Sequence, residues 1–211
     1  MKKIITFFFL VYSLQVNAQK NKTSQVILKE NTLYFFCRGT TGKAGITSKK
    51  FNIADSGISH IGIGFFEKGK TKIFNVSDIK NSLNNFLFVD SFESFTEAEA
   101  IYYIAVWEYK LNRIFFNRLK SLLKNYEDKR ITFDRDFNIS FDDTLYCSEF
   151  CAMVLNQLKI PNLSFKPDYY NLENNILFKA YLNRNQLVYY PADFFLRNKK
   201  VKKIFEEYIM K

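Results

Sequence analysis

The segment HIGIGFF, residues 60–66, combines a clear strand pattern with the one histidine of the 211-residue chain. Ile61 and Ile63 alternate with glycines, which is the period of a β-strand. Gly69 and its lysine neighbours predict a turn, and residues 72–76 then return as the second strand of a hairpin. A single histidine excludes chemistry that needs two, and with it most zinc enzymes and zinc fingers.

Further strands are predicted on both sides of this hairpin. They are rich in β-branched and aromatic residues, and turn residues separate them. They cover residues 32–38 (TLYFFCR), 86–89, 101–109 (IYYIAVWEY) and 186–190. Residues 39–57, before His60, form a polar loop whose length is typical of functional loops.

Three helices are predicted. In residues 111–126 apolar residues, Ile114 among them, recur every three or four positions, which is typical of an amphipathic helix. Residues 144–158 form the second helix, with Asp142, Asp143 and Thr144 as acidic and capping groups at its start. A charged helix is expected from about residue 200, and its solvated face would carry Lys199, Lys200, Lys202 and Lys203.

Strands and helices do not alternate strictly along the chain, which predicts an α+β fold with a mostly antiparallel sheet. The composition is 47% hydrophobic, with 24 Phe and 13 Tyr, and this is enough apolar material for a sizeable core. The length predicts one folded domain.

Residues 1–18, MKKIITFFFLVYSLQVNA, have the pattern of a secretory signal peptide. Lys2 and Lys3 form the positive region, an apolar run follows, and cleavage is expected after Ala18. The domain would then span residues 19–211, in the periplasm or outside the cell. Removal of the two lysines lowers the formal charge from +10 to +8. Such a charge suits an anionic membrane surface or cell-wall polymers, whereas export and scattered basic residues argue against nucleic acid.

Cys147 is the candidate nucleophile. It lies in the first turn of the predicted helix, where unpaired backbone N–H groups and the helix dipole stabilise a thiolate. The same amides can donate to a tetrahedral oxyanion. Cys151 is expected to be a buried core residue. Because Cys37 is the only other cysteine, at least one of the three thiols stays free unless it pairs between chains.

His60 is the candidate base, because a thiolate nucleophile usually works with an imidazole. A third polar group is then needed to orient the ring. Asn75, on the returning strand of the hairpin, is the first candidate, and Asp78 and Glu67 are alternatives.

Two of these segments together resemble the YiiX/YebB-like cysteine hydrolases of the NlpC-related superfamily. SHIGIGF at 59–65 is similar to their histidine strand and YCSEF at 146–150 to their cysteine helix. LYFFCRGT at 33–40 and YYPADF at 189–194 resemble their opening and closing segments. The resemblance implies a circularly permuted papain-like fold, in which the histidine strand precedes the cysteine helix.

The resemblance also implies roles for single residues: Cys147 as nucleophile, His60 as base, and Asn75 at the third polar position. Tyr146, Ser148 and Glu149 flank the sulfur and are candidates for contacting substrate or oxyanion. Tyr146 has packing beneath the helix as its alternative role. Glu149 has a structural role as a helix-start carboxylate as its alternative.

The implied activity is acyl transfer to water through a thioester, without a metal or organic cofactor. Cell-wall peptides and lipid amides or esters both fit as substrates. Three alternatives stay open: a non-catalytic ligand-binding protein on the same fold, an acyltransferase that uses the same pair, and a structural protein with Cys147 in a disulfide.

Overall fold

The computed structural model describes residues 26–81, 83–97, 100–139 and 142–209. The predicted signal peptide, residues 1–18, lies outside this part of the chain. None of the described helices is long and apolar enough to cross a membrane.

The described strands are Thr32–Thr40 (β1), His60–Glu67 (β2), Lys70–Val76 (β3), Leu87–Asp90 (β4), Ile101–Lys110 (β5), Thr132–Phe133 (β6), Thr144–Leu145 (β7), Asp168–Asn171 (β8), Gln186–Tyr189 (β9) and Lys202–Tyr208 (β10). The described α-helices are Lys43–Ser48 (α1), Phe92–Thr96 (α2), Arg113–Glu127 (α3), Cys147–Gln157 (α4) and Ile176–Leu182 (α5). Short 3-10 turns cover Lys49–Phe51 and Phe194–Arg197.

Six strands form one sheet in the order β10-β5-β1-β2-β3-β4, and every neighbouring pair is antiparallel. Two small ribbons, β6-β7 and β8-β9, complete the β structure. The predicted α+β class is confirmed, with a mostly antiparallel sheet packed against the cysteine-bearing helix.

Both faces of the sheet are covered, which explains why β1 is apolar along most of its length. Leu33, Phe35 and Cys37 point to the larger core, which contains α3 and α4. Tyr34 and Phe36 point to the opposite face, which α2 covers. His60 is opposite Arg38 in the β1–β2 register and therefore belongs to the α2 face.

The C-terminal segment corrects one prediction. Residues 202–208 form strand β10, not a helix, and this strand pairs with β5 at the edge of the sheet. Lys202 and Lys203 are exposed on this edge strand, where charge discourages pairing with another chain. The open edge of β5 outweighs the local helix signal, because it offers a full set of backbone partners.

Three smaller predictions also need correction. Ile114 is 70% exposed, because α3 turns Phe116, Leu119 and Leu123 toward the core instead. The polar loop at 39–57 contains α1 and a 3-10 turn. Helix α4 begins at Cys147, and Thr144 belongs to β7.

Asp193, in the YYPADF segment, holds the loop that precedes His60. Its side chain is fully buried, and its carboxylate accepts hydrogen bonds from the backbone N–H groups of Ile53, Ala54 and Asp55 at 2.7–3.0 Å. Tyr189 adds a hydrogen bond from its hydroxyl to the Phe51 carbonyl at 2.7 Å. The closing segment therefore fixes the approach of the chain to β2.

We predict that Asp193→Asn lowers the free energy of unfolding by about 2–4 kcal/mol, because charge-assisted hydrogen bonds weaken and an amide nitrogen replaces one of the two accepting oxygens. Urea denaturation followed by circular dichroism measures the change. Asp168→Asn is the control, because it removes an ion pair with Arg197 near the surface and should cost less than about 1 kcal/mol. Equal losses in the two variants would contradict the role of Asp193.

Candidate active site

Cys147 is the first residue of α4, as its proposed chemistry requires. Tyr146 is the N-cap residue, with an extended backbone, and its side chain does not cap the helix. Asp142 instead accepts the Thr144 N–H at 2.8 Å within the preceding turn, so the expected acidic cap is not formed by that residue. The first-turn amides of α4 are thus not capped by the side chain of Tyr146.

The sulfur of Cys147 lies against the start of β2. The backbone N–H groups of Ile61 and Ser148 both donate toward it, and the positive charge of Arg38 is close enough to stabilise a thiolate. The Ser148 hydroxyl adds a fourth effect in the same direction, but burial outweighs all four and raises the pKa of Cys147. The resting group is therefore a thiol.

The start of β2 is open toward β3. The ladder between these strands begins at the pair Ile63 and Phe74, so residues 60–62 precede it. Cys147 approaches this strand end from the core that contains α4, and His60 belongs to the α2 face. The structure thus brings the sulfur beside Ile61, the residue that follows His60.

Asn75 contacts His60, as predicted. Its Oδ1 lies 2.9 Å from His60 Nε2, and its Nδ2 donates to Asp90 Oδ2 at 2.9 Å. The other oxygen of Asp90 accepts from the Ser94 hydroxyl at 2.9 Å. Asn75 is only 1% exposed, so the middle of this chain is shielded from water, whereas its end at Ser94 is exposed.

The chain of hydrogen bonds fixes the histidine tautomer. A carboxylate only accepts, so the amide nitrogen of Asn75 must face Asp90. The amide oxygen then faces His60, and Nε2 must carry the proton. In the neutral ring the lone pair is therefore on Nδ1. Within the described part of the chain no hydrogen bond to Nδ1 is found, so the lone pair of this nitrogen is unengaged there.

The pKa of His60 is lowered to about 3. Burial is the main cause, the nearby charge of Arg38 adds to it, and the hydrogen bond to Asn75 opposes it. The ring also stacks on Phe95, with 5.8 Å between ring centres. At neutral pH the imidazole is thus uncharged.

Arg38 is a site residue that the sequence did not single out. Its Nη1 donates to the Phe95 carbonyl at 2.7 Å, and its guanidinium lies 4.6 Å from the centre of the Phe95 ring. Its charge interacts with both Cys147 and Asp90. A cation inside the otherwise apolar segment LYFFCRGT was the available signal.

Gly62 makes the contact between His60 and Asn75 possible. It lies two residues after His60 on the same face of β2. A Cβ at this position would lie 2.7 Å from Ile73 Cγ2 and 3.0 Å from Asn75 Cβ. A larger residue would displace β3 and carry Asn75 away from the ring.

The alternatives to Asn75 lie elsewhere. Asp78 is exposed beyond the end of β3, and its backbone carbonyl accepts from Arg135. Glu67 is at the opposite end of β2 and forms an ion pair with Lys120, which lowers its pKa. Neither is hydrogen-bonded to His60.

The three flanking residues occupy structural positions. Tyr146 is buried, and its hydroxyl accepts the Tyr190 N–H at 2.8 Å. Ser148 donates to the Tyr190 carbonyl at 2.6 Å, so both side chains bind the end of β9 to α4. Glu149 is also buried, in the first turn of α4. Among these residues, Ser148 contacts the Cys147 sulfur, through its backbone N–H and its side chain.

All three cysteines have free thiols, so none is in the disulfide that the structural alternative requires. Cys37 and Cys151 are buried, and burial raises the pKa of each well above its ordinary value. No group of three or more His, Cys, Asp or Glu side chains in the described residues could hold a metal ion.

No protein-family model matches the chain, and no curated protein does. Among solved structures it is similar to the crystal structure of YiiX from Escherichia coli O157:H7, which is described there as a metalloprotein. The TM-score is 0.63 at 15% sequence identity, and the match covers 85% of this chain and 99% of YiiX. The fold is thus YiiX-like.

The lowered pKa of His60 predicts acid sensitivity. The unfolded chain binds a proton on His60 below about pH 6.5, whereas the folded chain does so only near 3. The contribution of His60 to stability is therefore complete above pH 6.5 and is lost as the pH falls from there toward 3. Urea denaturation at about pH 7.5 and 4.5 should show a smaller loss for His60→Gln than for the wild type. The same loss in both would contradict the lowered pKa of His60.

Proposed function

We propose that this protein is an exported cysteine hydrolase that cleaves an amide or ester bond in a cell-wall peptide or a lipid or acyl substrate. One observation carries the proposal: the Cys147 sulfur lies beside Ile61, and the chain from the preceding residue, His60, through Asn75 to Asp90 leaves Nδ1 of that ring without a hydrogen bond among the described residues. The YiiX-like fold supports it as an analogy.

The reaction would start from a neutral pair. Burial raises the pKa of Cys147 and lowers that of His60, so both groups are uncharged at rest. His60 Nδ1 takes the thiol proton as the sulfur forms its bond to the substrate carbonyl carbon. The resulting imidazolium then donates this proton to the leaving amine or alcohol, and water hydrolyses the thioester.

Backbone amides would stabilise the tetrahedral intermediate. The Ser148 N–H is directed to the sulfur, near which the oxyanion would form, and the start of α4 adds the positive end of the helix dipole. Arg38 adds a fixed positive charge close to Cys147, and this charge favours every negatively charged state along the reaction.

The position of Asp90 argues against the alternative that the protein binds a ligand without catalysis. That alternative is favoured by a neutral amide beside the histidine, because an amide stabilises an imidazolium less than a carboxylate does. Asp90 supplies the missing carboxylate one hydrogen bond further away. Asn75 then passes its influence to the ring and keeps the tautomer fixed.

The first test compares wild type, Cys147→Ala and His60→Ala on a panel of aryl esters, N-acyl amides, muropeptides and phospholipids. Both variants should lose at least about a thousandfold in kcat/KM. Cys151→Ala is the matched control, one helical turn further into the core, and it should retain activity. Turnover by Cys147→Ala equal to the wild type would refute the proposal. Products formed with added amine or alcohol acceptors distinguish an acyltransferase from a hydrolase.

A second test follows the positioning of His60 through the alkylation rate of Cys147, measured by mass spectrometry at about pH 8. Cys147 should react faster than Cys37 and Cys151. Asn75→Ala and Asp90→Asn should each slow it by about tenfold, because the ring loses its fixed tautomer. Asp78→Asn is the control, since this exposed carboxylate does not contact His60. Equal rates in all variants would remove Asn75 and Asp90 from the site.

A further inference from the structure

Helix α5 exposes apolar side chains that nothing in the chain's proposed chemistry explains. Ile176 is 76% exposed, Leu177 84% and Tyr181 63%, and Ala180 is exposed between them. No residue of this helix is fully buried. Scattered exposed apolar residues are ordinary, whereas adjacent ones on one helix indicate a binding surface.

These four residues form one continuous stripe. At about 100° per residue, positions 176, 177, 180 and 181 fall within an arc of roughly 140°. Phe178 and Leu182 lie outside this arc and are half-buried against the body of the protein. The helix is thus apolar on two sides, one packed and one open, and a helix of this kind is normally covered.

The packed side of α5 connects it to the candidate active site. Phe178 lies 5.1 Å from Phe51 between ring centres, and both belong to a cluster that contains Tyr146, the residue before Cys147. Tyr189 belongs to the same cluster and also contacts Phe51. The open stripe therefore lies on an element that shares one hydrophobic cluster with the residue before Cys147.

Basic residues accompany the stripe. Lys179 is exposed on the flank of α5, and Lys50 is exposed in the 3-10 turn directly before Phe51. Arg184 follows the helix, and its guanidinium binds Asn138 and backbone carbonyls rather than an acid. The segment from residue 171 to residue 186 contains one acidic residue, Glu173. An apolar stripe with a basic border fits the surface of an anionic bilayer.

We propose that α5 is a membrane-docking helix, which inserts Ile176, Leu177 and Tyr181 into the interface of an anionic phospholipid bilayer while Lys179 and Lys50 contact the headgroups. A bilayer is favoured over a protein partner, because adjacent exposed apolar side chains with exposed lysines at 179 and 50 match an interface of acyl chains and anionic headgroups. The proposal does not depend on turnover by Cys147 and is tested without it.

The experiment is co-sedimentation of the Cys147→Ala chain, residues 19–211, with vesicles of phosphatidylcholine alone or with added phosphatidylglycerol. Binding should require the anionic lipid and weaken with salt. Leu177→Ser and Lys179→Glu should each lower the partition constant by about tenfold. Ile114→Ser and Lys124→Glu, both exposed on α3, are the matched controls and should leave it unchanged.

A second measurement places the helix in the lipid. Leu177→Trp puts an indole on the stripe, and its fluorescence emission should shift to the blue when anionic vesicles are added. The shift should exceed that of the wild type, because Trp107 is already buried. The proposal is overturned if the chain does not bind anionic vesicles, if the α3 controls weaken binding as much as the α5 variants, or if α5 mediates self-association without lipid.

Discussion

The site depends on one buried amide. Asn75 bonds to His60 on one side and to Asp90 on the other, and the acceptor-only character of the carboxylate fixes the direction of both bonds. Three adjacent strand segments must therefore be in register for the ring to expose Nδ1, because β2 supplies His60, β3 supplies Asn75 and β4 ends at Asp90. The same requirement explains Gly62, whose missing Cβ lets β3 come close enough.

Arg38 affects the protonation of both His60 and Cys147. Arg38 and burial both lower the pKa of His60, and burial raises the pKa of Cys147, so the imidazole is uncharged and the sulfur is a thiol. Arg38 acts in the opposite sense on Cys147, where its charge favours the thiolate. One guanidinium, stacked on Phe95, thus disfavours positive charge on the ring and favours negative charge on the sulfur.

The local parts of this arrangement could be predicted from the sequence, and the distant parts could not. The alternation in HIGIGFF and the position of Cys147 at a helix start are local signals, and the hairpin turn places Asn75 on the strand beside His60. Asp90 belongs to the next strand, and its contact depends on the register between β3 and β4, which no local pattern fixes. Arg38 was hidden for the same reason, because its role depends on the pairing with His60. The prediction for residues 202–208 was wrong because their charged pattern suits a helix. They form a strand because the free edge of β5 offers backbone partners. Helix α5 is too short for its period to be recognised.

The Asp193 carboxylate has a consequence for how the molecule is made. The amides it binds lie about 140 residues earlier in the chain, at Ile53, Ala54 and Asp55. A ribosome delivers those amides long before their partner, so the entry to β2 cannot be fixed until nearly all of the nascent polypeptide has emerged. Contacts of such sequence separation slow the last step of folding. The pocket around His60 is therefore expected to form late in folding. A chain truncated before residue 193 would contain every proposed reactive group but would lack the carboxylate that anchors the loop before His60.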